Sequence, residues 1–400
     1  MNFKKSVAIA AAVGALSALA IPAMAETTIY GSARVATAWD TTVLPKSAAN
    51  AVNGSSQTFF NIDNQATSRL GVKSVNGNLT AVAELGIGDA GVYNLNGGSL
   101  GGFNQTGWVN GSGGLTLVYT RHIYGEYKFD SGKLLIGQTW TPYTVVSKQA
   151  LNSDEGNCYF GALYDGRFPQ IKYTLNNGIY VDFIRQATAE TAAPAVGTAN
   201  GQTTAGANLA VNPANLKAAY LPKLAIGYDG KSGAYTYGGG ILLQTQKDAN
   251  GKAVNSELLY AHGTATMGAF DALVNLGLGN NISALAIKDG GSFLAVKASD
   301  GASNNPVTTF TALVGVGYTV SPTVKVQAGI GGGTSSTSSD SAAHPVLTYA
   351  GYINAPITLA KNVYVTPEYN YIDQLNQASG STAAGSIRNH IYGAQWRVDF

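Results

Sequence analysis

Few residues of this chain have the types and spacing that catalysis or metal binding requires. The segment GIGDAG (86–91) fits the dinucleotide-binding fingerprint, but the residues that follow it, VYNLNGGSLGG, cannot form the helix that would hold a pyrophosphate. Cys158 is the only cysteine, so no internal disulfide can form. The four histidines lack ligand spacing, and no Ser/His/Asp order stands out. These histidines are His122, His262, His344 and His390. The sequence therefore predicts no enzyme activity, no metal site and no cofactor.

Charged residues are the other groups that could act on a solute, and they alternate with apolar residues along the chain. In TTIYGSARVATAW (27–39), Arg34 falls on the face opposite Ile29, and LTAVAELGI (79–87) places Glu84 opposite leucines and alanines. A period of two is typical of β-strands with one polar and one apolar face. These polar faces are sparse in charge and flanked by aromatic residues, which favours a lumen over the wet face of a soluble sandwich.

The composition fits an exported membrane protein. Only 12% of the residues are charged, against about 25% in typical soluble domains, and the chain holds 50 glycines and 22 tyrosines. Residues 1–25 join Lys4 and Lys5 to an apolar run and an Ala-Met-Ala end, which predicts a secretory signal peptide cleaved after Ala25 rather than a membrane anchor. Removing those two lysines from the 24 basic residues leaves 22, equal to the 22 acidic residues, so no net charge attracts nucleic acid.

The periodicity predicts an all-β fold, a transmembrane antiparallel β-barrel formed by a single domain at residues 26–400. No apolar run there reaches the roughly 20 residues of a membrane helix, whereas alternating segments of about 10 residues recur. Seven tight turns alternate with eight longer loops, which together connect 16 strands. The turns lie near 76–77, 130–132, 176–178, 229–233, 267–268, 321–322 and 360–361, and the first loop near 40–64. A further hairpin at 292–297 would raise the number to 18.

Five stretches share their order and spacing with one family of membrane proteins. They are ETTIYGSARV (26–35), TSRLGVKSVNGNLTAVAELG (67–86), TRHIYGEYKFDSGKLLIGQTWTPY (120–143), RFPQIKYTL (167–175) and IYGAQWRVDF (391–400). Together they resemble the trimeric porins of Gram-negative bacteria, close to a subgroup with a Gly-Gln-Thr-Trp stretch that includes dicarboxylate-type channels. The resemblance implies a trimeric 16-stranded barrel whose third extracellular loop, here about 142–167, folds into the pore and narrows it.

Within that arrangement, charged side chains on the loop would face charged side chains on the barrel wall. The loop offers Asp154, Glu155 and Asp165 with Arg167 at its flank, and the wall offers Arg34, Arg69 and Lys73 as a basic ladder with Glu84, Glu126 and Lys172 nearby. Opposed charges would set up a transverse field across the constriction. The alternative is that these residues are solvated lumen charges that keep the wall wet.

The sequence thus predicts an outer-membrane, multi-pass porin through which small hydrophilic solutes and ions diffuse passively. An alternative within transport is a selective channel with a binding site for small anions such as carboxylates. A barrel acting as an adhesin or a membrane hydrolase is a third hypothesis. The loops, however, carry few of the charged residues that an adhesin needs, and no Ser/His pair is evident for a hydrolase. The expected partners are outer-membrane lipid, two further copies of the chain, and small solutes.

The alternating segment IYGAQWRVDF predicts a lipid-facing stripe on the last strand. Tyr392, Ala394, Trp396, Val398 and Phe400 form the apolar set of this strand. We expect the strand to pair with the first one and so close the barrel. An aromatic residue at the end of such a stripe resembles the signal read by the outer-membrane barrel-assembly machinery, which assigns Phe400 and Trp396 to assembly. We also expect Trp39, Trp140 and Trp396 to lie in the interfacial aromatic girdle.

Overall fold

The computed structural model describes residues 26–43, 56–65, 67–89, 116–151, 160–186, 221–247, 253–285, 287, 307–337, 346–376 and 385–400. These residues form one sheet of 18 antiparallel strands and a short 3₁₀ helix at Ile282–Leu285. The strands are β1 (Glu26–Val43), β2 (Ser56–Asn64), β3 (Arg69–Asn76), β4 (Leu79–Asp89), β5 (Thr116–Phe129), β6 (Gly132–Trp140), β7 (Arg167–Leu175), β8 (Ile179–Ile184), β9 (Lys223–Ser232), β10 (Tyr235–Lys247), β11 (Ala253–Met267), β12 (Phe270–Asn280), β13 (Val307–Ser321), β14 (Val324–Thr337), β15 (Val346–Asn354), β16 (Ile357–Ala360), β17 (Val363–Asn376) and β18 (Gly385–Asp399).

The 18 strands make 16 crossings of a closed barrel, because two crossings are each interrupted once. β2 and β3 pair with successive parts of β1, along 35–43 and 26–32. β15 and β16 both pair with β14 and β17, and the break between them contains Pro356, which has no backbone N–H to continue the ladder. β18 pairs with β1 and closes the sheet. The predicted 16-stranded barrel is confirmed, and segment 292–297 lies outside the described residues.

All seven predicted turns join consecutive strands. At the first of them Gly77 has a φ of 57°, in the left-handed region that favours glycine. The predicted first loop at 40–64 is wrong at both ends, since β1 continues to Val43 and β2 begins at Ser56. The reason is that Phe60 and Ile62, two positions apart, both lie on the outer face of the barrel beside β1.

The predicted alternation separates a lipid-facing exterior from a polar interior. On β1, Ile29 is 60% exposed on the outside, whereas Ser32 and Arg34 are each 4% exposed on the inside. Trp39 and Trp396 lie on the outer face, which fits the predicted aromatic girdle. Among the described residues, no helix is long and apolar enough to cross a membrane.

Phe400 completes the seam between the last and first strands. Its N–H donates to the carbonyl of Gly31 (3.0 Å), and its own carbonyl accepts from the Gly31 N–H (2.8 Å). The ring of Phe400 lies against Gly31, in the space that a Cβ on that residue would occupy. Because Gly31 has no side chain, the Phe400 ring can pack against β1 on the outer face.

Deleting Phe400 is expected to lower the amount of folded barrel recovered from outer membranes. The deletion removes two seam hydrogen bonds, each contributing about 1 kcal/mol, together with the packed ring. Heat modifiability on SDS gels measures the folded fraction, and the Phe400→Tyr variant, which keeps the ring, should match the parent protein. Single-channel conductance of the folded fraction should stay the same, because Phe400 lies outside the lumen. Equal folded yields for the deletion and the parent would contradict the assignment of Phe400 to assembly.

Candidate functional site

Loop 3 is the segment 141–166 between β6 and β7. Its described parts, 141–151 and 160–166, turn into the barrel, which confirms the predicted inward fold. Phe160 packs with Ile372 of β17 and Ile391 of β18, on the wall away from β6 and β7. Gly161 has a φ of 72°, and the backbone of β13 and β14 lies where its Cβ would be. The loop therefore crosses the lumen and contacts the wall backbone directly.

A buried carboxylate on β17, Glu368, holds the tip of loop 3. Its Oε2 accepts the N–H of Ala150 (2.6 Å), and its Oε1 accepts the N–H of Leu151 (2.7 Å). The side-chain amides of Asn354 and Asn370 donate to the same two oxygens, at 2.7 and 2.8 Å. Glu368 is 4% exposed, so these four donors replace the water that an exposed carboxylate would bind.

Other wall residues bind the backbone of the same tip. The carbonyl of Ala150 accepts from the side-chain amides of Gln65 (2.7 Å) and Gln395 (3.1 Å). The carbonyl of Lys148 accepts from Asn354 (2.7 Å). Side chains from three separate parts of the wall thus fix the position of the loop tip in the lumen.

The returning limb of loop 3 ends at a buried ion pair. Lys223 Nζ of β9 lies 2.7 Å from Asp165 Oδ2, and both side chains are 0% exposed. Tyr143 Oη donates to the same Asp165 oxygen. Burial raises the pKa of Tyr143 well above its usual range, and the charge of Asp165 raises it further, so Tyr143 stays protonated and keeps donating. The prediction that Asp165 lines the constriction is wrong, because its buried carboxylate fixes the loop to β9 and does not face the pore.

An open cavity of about 400 Å³ lies on the inner face of β1, β3, β4 and β5. Its lining residues are Tyr30, Lys73, Thr80, Val82, Glu84, His122, Tyr124 and Glu126. Lys73 is exposed, and Arg69 lies four residues earlier on the same face of β3. Among the described residues, neither Arg69 nor Lys73 forms an ion pair. These two cations are therefore available to solutes in the lumen.

Glu84, by contrast, is neutralised within the wall. Its Oε1 accepts from Arg121 Nε (2.6 Å) and its Oε2 accepts from Tyr30 Oη (3.0 Å). The pairing of β4 with β5 shifts register between Glu84 and Leu85, which leaves Arg121 without a partner in the ladder. This bulge lets Arg121 and His122 approach the same carboxylate.

Arg167 lies at the start of β7 in a stack of aromatic and basic groups. Its guanidinium is 3.5 Å from the centre of the Trp140 ring, and its Nε donates to His122 Nε2 (3.1 Å). His122 Nδ1 lies 3.0 Å from Thr139 Oγ1. The prediction of Trp140 in the lipid-facing girdle is wrong, since its ring packs against Tyr164 of loop 3 inside the barrel.

Of the other predicted site residues, Glu126 lines the same cavity as Lys73. Glu126 pairs with Lys133 (3.0 Å), and Lys172 pairs with Asp229 (3.3 Å). Arg34 is buried beside β3, where its Nε donates to Ser32 (3.0 Å). Asp154 and Glu155 lie outside the described residues.

Sequence reasoning missed the residues that hold the site together. They are Arg121, Tyr143, Lys223 and Glu368. Glu368 is visible in the sequence only as one polar position of an alternating strand. The sequence does not distinguish Glu368 from other charged residues, because charges that point into the barrel follow the same alternation whether they are solvated or buried. Within the described residues, no group of three or more His, Cys, Asp or Glu could hold a metal ion.

A closed 16-stranded barrel with an apolar exterior and an inward third loop is a fold that solved outer-membrane channels share. No protein-family profile and no curated protein matches the chain. Solved structures do match it over nearly its whole length. The outer-membrane channel DcaP of Acinetobacter baumannii is similar with a TM-score of 0.62 and 16% identity, covering 95% of this chain and 99% of that one. The Vibrio cholerae OmpT trimer form (TM-score 0.51, 14% identity, 93% and 99% covered) and the anion-selective porin of Comamonas acidovorans (0.51, 13%, 94% and 100%) share the fold.

Proposed function

We propose that the protein is a porin of the Gram-negative outer membrane through which small hydrophilic solutes and ions pass by diffusion. The observation that carries this proposal is the open, charged cavity beside a loop that is fixed across the lumen. In this proposal residues 1–25 direct export and residues 26–400 form one barrel domain. The chain performs no chemistry and needs no cofactor.

A second candidate function is a channel that binds small anions such as carboxylates. Among the side chains that the structure describes, the inner face of β1–β7 carries more cations than acids, and Glu84 is already paired with Arg121. Arg69 and Lys73 form no ion pair within the described residues and face the lumen, where their charge attracts anions into a confined aqueous path. The anion selectivity of the Comamonas acidovorans porin is a property of that protein, and it adds support to this candidate.

The outer face favours self-association on one side of the barrel. Near the tight turns, β5 to β13 carry outward rings of the kind that face lipid headgroups. These rings are Tyr127, Phe129, Tyr173, Tyr228, Tyr235, Tyr237, Phe270 and Tyr318. At the same level β17, β18, β1, β3 and β4 carry the aliphatic side chains Val365, Val398, Ile29, Val72 and Leu79, together with the rings of Trp396 and Phe400. We place a subunit contact on this side, with three copies in the assembly as in the Vibrio cholerae OmpT trimer form.

Reversing the charges of Arg69 and Lys73 is expected to reverse the ion preference of the channel. In mild detergent the purified parent protein should have the mass of three chains. In planar bilayers it should give stepwise conductance, and in a KCl gradient its reversal potential should indicate a preference for anions. One charge within about 4 Å of an ion is worth about 1 kcal/mol in water, so Arg69→Glu/Lys73→Glu should change the permeability ratio on the order of tenfold toward cations.

The matched control is Lys231→Glu/Lys361→Glu, which makes the same change in net charge at exposed positions near two tight turns. This control should leave the permeability ratio unchanged. Absence of stepwise conductance from the parent protein would reject the channel. An unselective current that small carboxylates do not block saturably would reject only the second candidate.

A further inference from the structure

A second extracellular loop enters the lumen beside loop 3. The chain leaves β12 at Asn281, which has a φ of 50° and whose side chain binds the backbone on both sides of it. Its Nδ2 donates to the carbonyl of Asn255 (2.9 Å), and its Oδ1 accepts the N–H of Val307 (3.2 Å). Asparagine tolerates this left-handed conformation, which turns the following 3₁₀ helix, Ile282–Leu285, inward. We call this helix together with Ile287 the loop 6 segment, because it begins the sixth extracellular loop.

The loop 6 segment packs into an apolar cluster that fills one side of the barrel. Ile282, Leu285 and Ile287 are 1%, 0% and 5% exposed. Loop 3 contributes Leu163 and Tyr143 to this cluster. The wall contributes Tyr180, Ile184, Ala225, Leu242, Leu258 and Tyr260 from β8 to β11. These wall positions face the lumen, where a simple water-filled pore would place solvated polar residues.

A single lysine joins the loop 6 segment to loop 3. Lys223 Nζ donates to the carbonyl of Leu285 (2.7 Å) while it pairs with Asp165 (2.7 Å). The lysine satisfies a backbone carbonyl at the end of the 3₁₀ helix and a carboxylate of loop 3 in one buried position. Both loops are therefore held against β9 together.

Exposure of the inner wall is uneven around the barrel. Ala225, Leu242 and Leu258 are 0 to 1% exposed, on β9, β10 and β11. At the comparable distance from the tight turns on β5, by contrast, His122 is half-buried and lines the open cavity. Closely packed apolar side chains exclude water, so ions have no path along β8–β11 at this level.

We infer that the loop 6 segment is a second constriction element, which with loop 3 closes the β8–β11 side of the lumen and confines the water path to the side of β3–β5. Ile282 and Leu285 then determine the width of the pore, although neither carries a charge. This inference goes beyond the proposed function, and it makes the size limit of the channel depend on apolar packing between two loops.

Thiol accessibility in the folded protein tests this inference. In a Cys158→Ser background, His122→Cys and Ala225→Cys each place one thiol on the inner wall, at similar distances from the tight turns. A charged methanethiosulfonate reagent should modify His122→Cys at least tenfold faster than Ala225→Cys, as followed by mass spectrometry. Adding Ile282→Ser/Leu285→Ser to Ala225→Cys should raise its rate at least tenfold, and the same pair in the parent should increase single-channel conductance.

The matched control for that pair is Ile226→Ser/Leu243→Ser, which removes the same residue types from the lipid-facing side of β9 and β10. This control should leave the thiol of Ala225→Cys slow, provided that heat modifiability shows a folded barrel. Equal rates for His122→Cys and Ala225→Cys would overturn the inference, as would an unchanged rate after the loop 6 substitutions. Thiol modification is measured by mass spectrometry and does not require that the protein conducts ions. A failure of this inference can therefore be distinguished from a failure of the proposed channel function.

Discussion

Replacing Glu368 with leucine is expected to release the tip of loop 3 and raise the single-channel conductance. Leucine has a similar volume but accepts no hydrogen bonds, so the N–H groups of Ala150 and Leu151 lose their acceptors. A buried donor left without a partner costs about 1–3 kcal/mol, so these two groups alone cost about 2–6 kcal/mol. Since about 1.4 kcal/mol changes an equilibrium tenfold, that cost is enough to move the tip away from the wall.

Two measurements check the release of the tip. Planar-bilayer recording should show a larger and noisier conductance for Glu368→Leu, and trypsin should cleave the folded protein faster after Lys148, which lies in the tip. The control Glu368→Gln keeps the length of the side chain and one acceptor oxygen, so its effect should be smaller in both measurements. Parent-like conductance and cleavage in Glu368→Leu would show that the carboxylate does not position the loop.

Most of the barrel could be predicted from the sequence because the physics that builds it is local. Alternation of Ile29 with Arg34 along β1 requires only that one face meets lipid and the other meets the lumen. Turn residues such as Gly77 mark where strands end, since few residues adopt their backbone conformation. The first loop was predicted too long because polar residues outnumber apolar ones in the β2 segment SQTFFNIDN, so its strand character is evident only from its pairing with β1.

The interior could not be predicted in the same way, because it depends on contacts between residues far apart in the chain. Glu368 and Leu151 are separated by 217 positions, and Lys223 and Asp165 by 58. The alternation of inward and outward side chains assigns each of these charges to the lumen. It does not distinguish a charge that faces water from one that a loop covers. Arg121 was missed for a local reason. The β5 bulge interrupts the alternation of inward and outward side chains from which the lumen residues were predicted.

Replacing Lys223 with methionine is expected to loosen both loops in the lumen. Removing one partner of a buried ion pair costs about 3–5 kcal/mol, because the remaining charge is left without compensation. In Lys223→Met the uncompensated charge is Asp165, and the carbonyl of Leu285 also loses its donor. Hydrogen exchange of the loop 3 backbone at 160–166, read by mass spectrometry, should accelerate about 100-fold or more. Lys172→Met, which breaks the more exposed pair with Asp229, should change exchange in these residues little.

A double variant separates charge compensation from packing in this result. Asp165→Asn alone leaves the ammonium of Lys223 buried without a carboxylate, so it should also accelerate exchange. In Lys223→Met/Asp165→Asn no uncompensated charge remains, and we expect exchange to return most of the way toward the parent rate. If the double variant instead exchanges as fast as the two single effects combined, the pair acts only by packing. Recovery of the parent exchange rate would show that the buried charges destabilise the loops little when both are present and strongly when one is missing. Such a pair favours the single arrangement of the two loops in which both charges are compensated.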